Sequence, residues 1–250
     1  MSARAAWVGA AMAALLLAGC DAMPGRPTAA DREVLPTQVT SFSALYGRNC
    51  AGCHGAEGRF GAARPLNDPL YLALVPPDTL RTIIAQGVPE GMTHAFAASA
   101  GGPLTDAQIE ILVRDMRARW GRPGVGPGIP LPPYSAAEAA RSGSGPGNPQ
   151  RGTAVYAASC AGCHGPEGQG GSRGGSVVDP AYLALVSDQA LRTAVIAGRP
   201  DLGMPDWRGQ IAGTPLTPQQ ISDVVAWLAG RRLPPVGRPG SGAEVGGKPS

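Results

Sequence analysis

Apolar positions in this chain recur at helical spacing. After Thr105-Asp106-Ala107-Gln108, the residues Ile109, Leu112, Val113, Met116 and Trp120 form a stripe three and four positions apart. After Thr217-Pro218-Gln219-Gln220, Ile221, Val224, Val225 and Leu228 do the same. Both openings fit a capping box, and Pro218 falls where the first helical turn tolerates proline. Two further helices are predicted. One carries Leu80, Ile83 and Ile84, with Asp78 as its candidate cap and Gly87 as its end. The other runs from Ser187 or Asp188 through Leu191 and Val195 to Gly198. Ser43 to Asn49 and Arg151 to Ser159 each lead into a further helix that carries the residues from Cys50 or Cys160 onward. The fold class is all-α.

The elements come in pairs because the chain repeats itself. Cys50-Ala51-Gly52-Cys53-His54 returns as Cys160-Ala161-Gly162-Cys163-His164, 110 positions later. Asp68-Pro69-Leu70-Tyr71-Leu72-Ala73-Leu74-Val75 matches Asp179-Pro180-Ala181-Tyr182-Leu183-Ala184-Leu185-Val186, 111 later. Leu104-Thr105 matches Leu216-Thr217, 112 later. Two tandem helical domains follow, at 41–120 and 150–233. Between them, 121–149 is rich in Gly and Pro and reads as a linker that buries too little apolar surface to fold alone. Residues 20–40 read as a tether, and 234–250 as a disordered tail.

Composition sharpens this picture. Among 250 residues, 37 Gly and 26 Pro stand against 5% aromatics, a thin supply of core for two domains. A large apolar prosthetic group would supply the missing core. The formal net charge of +3 suggests no nucleic-acid partner.

The pentapeptides offer that group. Two thiols three positions apart lie on one face of a helical turn, placed to add to two vinyl groups of one porphyrin. The following His can then offer nitrogen to the iron, which is the c-type haem attachment pattern. A disulfide, a thioredoxin-like pair, or one zinc site shared by both C-x-x-C pairs are the alternatives. The matching His in each copy and the lack of a strand context favour haem. Two covalent haems are expected, on Cys50, Cys53, Cys160 and Cys163, with His54 and His164 as iron ligands.

A thioether recurs in each repeat, at Gly91-Met92-Thr93-His94 and Gly203-Met204-Pro205-Asp206-Trp207. With these, the chain resembles a dihaem member of the class I cytochrome c family. The resemblance covers 41–120 and 150–233, and implies a cytochrome c-like domain around each haem. It also implies Met92 and Met204 as distal ligands, which favour reduced iron. Thr93 departs from the family's usual proline. His94 could replace Met92, act as a distal acid–base group, or be an ordinary loop histidine. The family commonly uses a proline carbonyl to accept from the proximal His. Pro65 fits that role, whereas Gly168 to Ser176 offers no proline, leaving the acceptor for His164 open.

The N-terminus adds location. Arg4, the apolar run Ala5 to Gly19 and small residues at its end make a signal peptide over 1–19. Leu17-Ala18-Gly19-Cys20 resembles a bacterial lipobox, which implies acylation of Cys20 and a lipid anchor. An uncleaved anchor or an ordinary secretory signal is the alternative. The periplasmic side of a bacterial membrane is expected, and Asp21 weakly favours the inner one. The functional expectation is an electron carrier serving redox partners, including a membrane respiratory complex, or forming a subunit of one. The alternative is a dihaem enzyme such as a peroxidase or thiosulfate dehydrogenase. Against it, neither domain has a spare cysteine, and only His94 could serve as a distal acid–base group.

Overall fold

The computed structural model describes residues 34–89, 92–125, 130–209 and 214–233. The signal segment, Cys20, Gly91 and the 234–250 tail lie outside the described residues. The chain divides into 1–39 and 40–250. In the first, a 3-10 turn at Pro36–Gln38 is described. The second holds both repeats.

The first repeat comprises α1 (Phe42–Asn49), α2 (Ala51–His54), α3 (Pro69–Leu74), α4 (Pro77–Gln86) and α5 (Asp106–Trp120). After α6 (Ala136–Arg141), the second repeats the order: α7 (Pro149–Ser159), α8 (Ala161–His164), α9 (Pro180–Leu185), α10 (Asp188–Ala197) and α11 (Pro218–Ala229). Among the described residues there is no strand beyond two isolated bridges. The predicted capping boxes are both formed, by Thr105 with Gln108 and Thr217 with Gln220. Ser187 caps α10. Asp78 does not cap α4. The cap position falls two residues earlier, at Pro76, so the helix starts at Pro77, whose missing N–H costs nothing there, and Asp78 sits in its first turn.

The short helices α3 and α9 were not predicted as elements. Asp68 caps one by accepting from Leu70 N–H, and Asp179 caps the other by accepting from Tyr182 N–H. Each is closed at its far end by an arginine after the last helix or within it. Arg117 donates to the Leu72 carbonyl at 2.6 Å, and Arg232 donates to the Leu183 and Val186 carbonyls at 3.1 and 2.8 Å.

The core of each repeat lies between its first and last long helices. Phe42, Leu45 and Tyr46 of α1 and the Ile109, Leu112, Val113, Met116 stripe of α5 are buried, and the helices pack together. Each such side chain contributes roughly 1.5–3 kcal/mol by leaving water. The second repeat packs α7 on α11 differently. Tyr156 stacks on Trp227 at 3.9 Å between centroids, whereas Tyr46 meets Trp120 edge-on at 5.2 Å. Where the first repeat has Phe42, four residues before the tyrosine, the second has Gly152. A Cβ at Gly152 would collide with the Asp223 carbonyl and lie 2.7 Å from Trp227 Cβ.

Residues 130–149, expected to bury too little to fold alone, are partly built onto the second repeat. Ser135 and Glu138 form a capping box for α6, and Tyr134 and Ala139 are buried. Arg192 donates to the Pro133 carbonyl at 2.9 Å and the Tyr134 carbonyl at 3.1 Å. Asp223 accepts from Asn148 N–H and from Arg151, each at 2.8 Å. Burial alone would raise the Asp223 carboxyl, but these donors hold it below its ordinary value. The repeats also touch one another. Helix α3 packs against α10, Phe60 N–H donates to Asp201 at 3.2 Å, and Arg199 donates to the Gly61 carbonyl at 3.2 Å.

A paired substitution tests the close approach of α7 and α11. Gly152→Ala is expected to lower stability by about 1–3 kcal/mol through overpacking. Gly47→Ala, on an open face of α1, is expected to raise it by roughly 0.5–1 kcal/mol. Urea unfolding followed by circular dichroism measures both.

Candidate haem sites

Each pentapeptide is a single helical turn set off from the helix before it. The chain breaks at Cys50 and Cys160, with φ of −122° and −121°. The turn then closes by His54 N–H to the Cys50 carbonyl and His164 N–H to the Cys160 carbonyl, each at 3.0 Å. Four residues make too few internal bonds to hold such a turn alone. The holding bond comes from the preceding helix. Tyr46 donates its hydroxyl to the Gly55 carbonyl at 2.9 Å, and Tyr156 does the same to Gly165 at 2.7 Å. Burial pushes both hydroxyls up in pKa, Tyr156 to about 12, so both remain donors at neutral pH. Gly55 and Gly165 take φ of 81° and 80°. A Cβ there would strike the Arg59 carbonyl in one repeat and lie 2.5 Å from the Gly170 carbonyl in the other. The two tyrosines were missed from sequence. Their signal was there: each stands four residues before the first cysteine of its repeat.

The four pentapeptide cysteines form no disulfide with one another. Burial, with the neighbouring cysteine, pushes Cys50 and Cys160 up to about 11. A thiol–disulfide pair works through a thiolate of lowered pKa, so this environment disfavours that alternative. Among the described residues no three His, Cys, Asp or Glu side chains are grouped to hold a metal ion. The two C-x-x-C pairs therefore do not form one zinc site.

Both imidazoles are oriented by backbone. His54 Nδ1 lies 2.6 Å from the Arg64 carbonyl, and His164 Nδ1 lies 2.8 Å from the Gly175 carbonyl. A carbonyl can only accept, so Nδ1 carries the proton and Nε2 keeps its lone pair for a metal. Burial lowers the pKa of His54, with the positive charges of Arg64 and Arg199 adding to it, and the bond to the Arg64 carbonyl opposes this. The neutral ring is the form that ligates. The acceptor differs from the expected one, since it belongs to Arg64 and not to Pro65. The buried Pro65 acts one bond away, by restricting the backbone of the residue before it. In the second repeat no proline is needed. Gly171 N–H donates to the Gly174 carbonyl at 2.8 Å, and Gly174 packs so closely that a Cβ there would lie 2.8 Å from His164 Nδ1.

The two methionines are not placed alike. Phe96 and Trp207 stand nine residues beyond Gly87 and Gly198, so the loops between are equally long. Met204 is half-buried and exchanges both backbone bonds with Arg199, at 3.0 and 3.1 Å. The matching bond in the first repeat runs from Val88 N–H to the Thr93 carbonyl at 2.8 Å. Thr93 thus occupies the backbone position of Met204, and Met92 falls one residue earlier, 63% exposed. His94 is exposed, with its ring 4.3 Å from that of Phe96.

Two thiols on one turn followed by an imidazole whose Nδ1 is bonded to a backbone carbonyl, leaving Nε2 for a metal, are the donor set a covalently attached iron porphyrin requires, and each repeat builds it. Tyr156→Phe is expected to leave the Gly165 carbonyl without its buried donor. The cost is about 1 kcal/mol of stability, with Tyr46→Phe similar, both read from urea midpoints.

The family model described as "Cytochrome C oxidase, cbb3-type, subunit III" matches this chain twice, at residues 37–114 and 147–228, once per repeat. Among solved structures, the reducing HAO-like protein complex of Kuenenia stuttgartiensis is similar at 17% identity. The match covers 81% of this chain and 100% of that one, with a TM-score of 0.43. No curated protein matches. Matched over more than half its length, and with one cysteine–histidine turn in each matched region, this chain belongs to the cbb3-type cytochrome c family as a tandem pair of its domains and binds two c-type haems.

Proposed function

We propose that this chain is a lipid-anchored dihaem electron carrier on the periplasmic side of a bacterial membrane. Cys50 with Cys53 and Cys160 with Cys163 hold the two haems. His54 and His164 are the proximal ligands, and Met92 and Met204 the distal ones. When bound, each haem supplies a one-electron ferrous–ferric couple. The chain's own residues hold the ring, orient the ligands and exclude water.

One observation carries this reading. Both imidazoles are fixed by backbone carbonyls, in the same tautomer, on turns clamped by the same tyrosine bond. An electron carrier benefits from ligands that do not rearrange between oxidation states, and this arrangement supplies that twice. Anchoring is read from Cys20 and the apolar run before it. Among the described residues no helix is long and apolar enough to cross a membrane. The partners are redox proteins, a membrane respiratory complex among them, engaged through small transient contacts.

Spectroscopy of the oxidised holoprotein tests the ligands. Met204→Ala is expected to abolish the iron–thioether charge-transfer band of the second haem and admit carbon monoxide there. Met92→Ala should do so at the first haem. If Met92→Ala leaves the spectrum unchanged while His94→Ala alters it, the distal ligand is His94. For the anchor, Cys20→Ala is expected to move the protein from the membrane to the soluble fraction. Retention on washed membranes would refute the lipid attachment.

A further inference from the structure

A loop follows each imidazole-bearing turn, and the two loops are closed differently. In the second repeat Gly170, six residues after His164, turns its N–H back to the His164 carbonyl at 2.8 Å. Its φ of 104° suits a glycine. The first repeat has Phe60 at that place, six residues after His54. Phe60 takes a φ of 62°, and among the described residues no other non-glycine has a positive φ. Such a conformation persists only where the surroundings hold it. The hold comes from outside its own repeat, since Phe60 N–H donates to Asp201 Oδ2 at 3.2 Å.

Asp201 is itself fixed. Arg199 grips it through Nε and Nη2, each at 3.0 Å, and the Asp201 side chain is only 4% exposed. The same Nη2 donates to the Gly61 carbonyl at 3.2 Å. One ion pair of the second repeat therefore holds both residue 60 and residue 61. These lie hard against the first haem-binding turn, where a Cβ on Gly61 would sit 2.2 Å from the Cys53 carbonyl. Three residues further on, the same loop presents the Arg64 carbonyl to His54 Nδ1. The grip runs one way. Counted from Gly87 and Gly198, the first repeat has Val88 where the second has Arg199, and valine has no donor to return.

We infer that the Arg199–Asp201 pair of the second repeat positions His54 of the first, by holding the loop whose carbonyl orients that imidazole. Both are positioning residues, acting through residues 60 and 61. A bond to Nδ1 makes an imidazole the more basic ligand, so loosening this loop favours the reduced iron. Arg199 also exchanges both backbone bonds with Met204, so the loop of the second thioether is tied to the loop of the first imidazole. This rests on the proposed function, in that it takes His54 as a ligand of the first iron.

Nitrogen-15 NMR of the reduced, full-length holoprotein tests it, after covalent haem has been counted. Asp201→Ala is expected to speed solvent exchange of the His54 Nδ1 proton roughly tenfold, the loss of one such bond, and to leave His164 unchanged. The potential of one haem should rise, on the order of a tenfold change in electron binding, about 59 mV. Asp201→Asn keeps an oxygen for Phe60 N–H and should restore slow exchange at His54. Unchanged exchange at His54 in Asp201→Ala would overturn the inference. So would equal acceleration at His54 and His164, which is general loosening, or equal exchange in the Ala and Asn variants, which is a charge effect alone. If Asp201→Ala does not fold, Arg199→Lys, which keeps the charge but loses the fork, should speed exchange at His54, and no change there overturns the inference. Fewer than two haems, or a first iron not bound by His54, in the unsubstituted protein would instead overturn the proposed function.

Discussion

A hydrogen bond from a tyrosine hydroxyl to a glycine carbonyl fixes where each haem-binding turn sits. The turn is only four residues long, and its internal bonds cannot hold it against water. Tyr46 and Tyr156 stand on the preceding helix, and that helix is held by the apolar stripe of the last helix of its repeat. The order of causes runs from stripe to helix pair, from helix pair to tyrosine, and from tyrosine to turn. The glycine that follows the histidine belongs to the same device. Its positive φ lets the chain leave the turn where no side chain fits, and its carbonyl receives the hydroxyl. The position of each imidazole thus inherits the rigidity of a helix pair it does not belong to.

The two repeats reach this end by different packing. The first fills the helix crossing with Phe42, Tyr46 and Trp120. The second leaves Gly152 bare so that Trp227 can stack flat on Tyr156. The first orients its imidazole through the carbonyl before a buried proline, and the second through a glycine loop bonded to itself. The constraint is the ring's tautomer and direction. The backbone that imposes it is free to vary.

That freedom explains what the sequence disclosed and what it hid. Capping boxes and apolar stripes are local side-chain patterns, so the long helices were legible. So were the pentapeptides, whose chemistry lies in side chains at fixed spacing. The acceptor of His54 was misplaced by one residue because any residue offers a carbonyl, and side-chain identity cannot say which one faces the ring. The order in 130–149 was hidden for another reason. Tyr134 is anchored by Arg192 and Gln189, more than fifty positions away, which bond to its carbonyl. The offset of Met92 was concealed because matching Gly-Met pairs aligns letters, whereas the backbone register is counted from Gly87 to Phe96.

The docked segment also bears on how the repeats stay together. The seam is modest: α3 against α10, and two hydrogen bonds between the loops at 60–61 and 199–201. Bonds of that kind contribute roughly 0.5–1.5 kcal/mol each, little beside the buried core of either repeat. Two such bonds would not by themselves keep separate molecules together. Here the ends are joined. Because the chain from Pro133 onward is bonded to the second repeat, the covalent connection that remains is far shorter than the 29 residues between the two predicted domains. Shortening a tether raises the local concentration of one surface at the other, provided it still spans the gap. Folding Tyr134 and α6 onto the second repeat therefore stabilises the seam, and it brings the Tyr134 hydroxyl near Arg64 and Tyr71 of the first repeat.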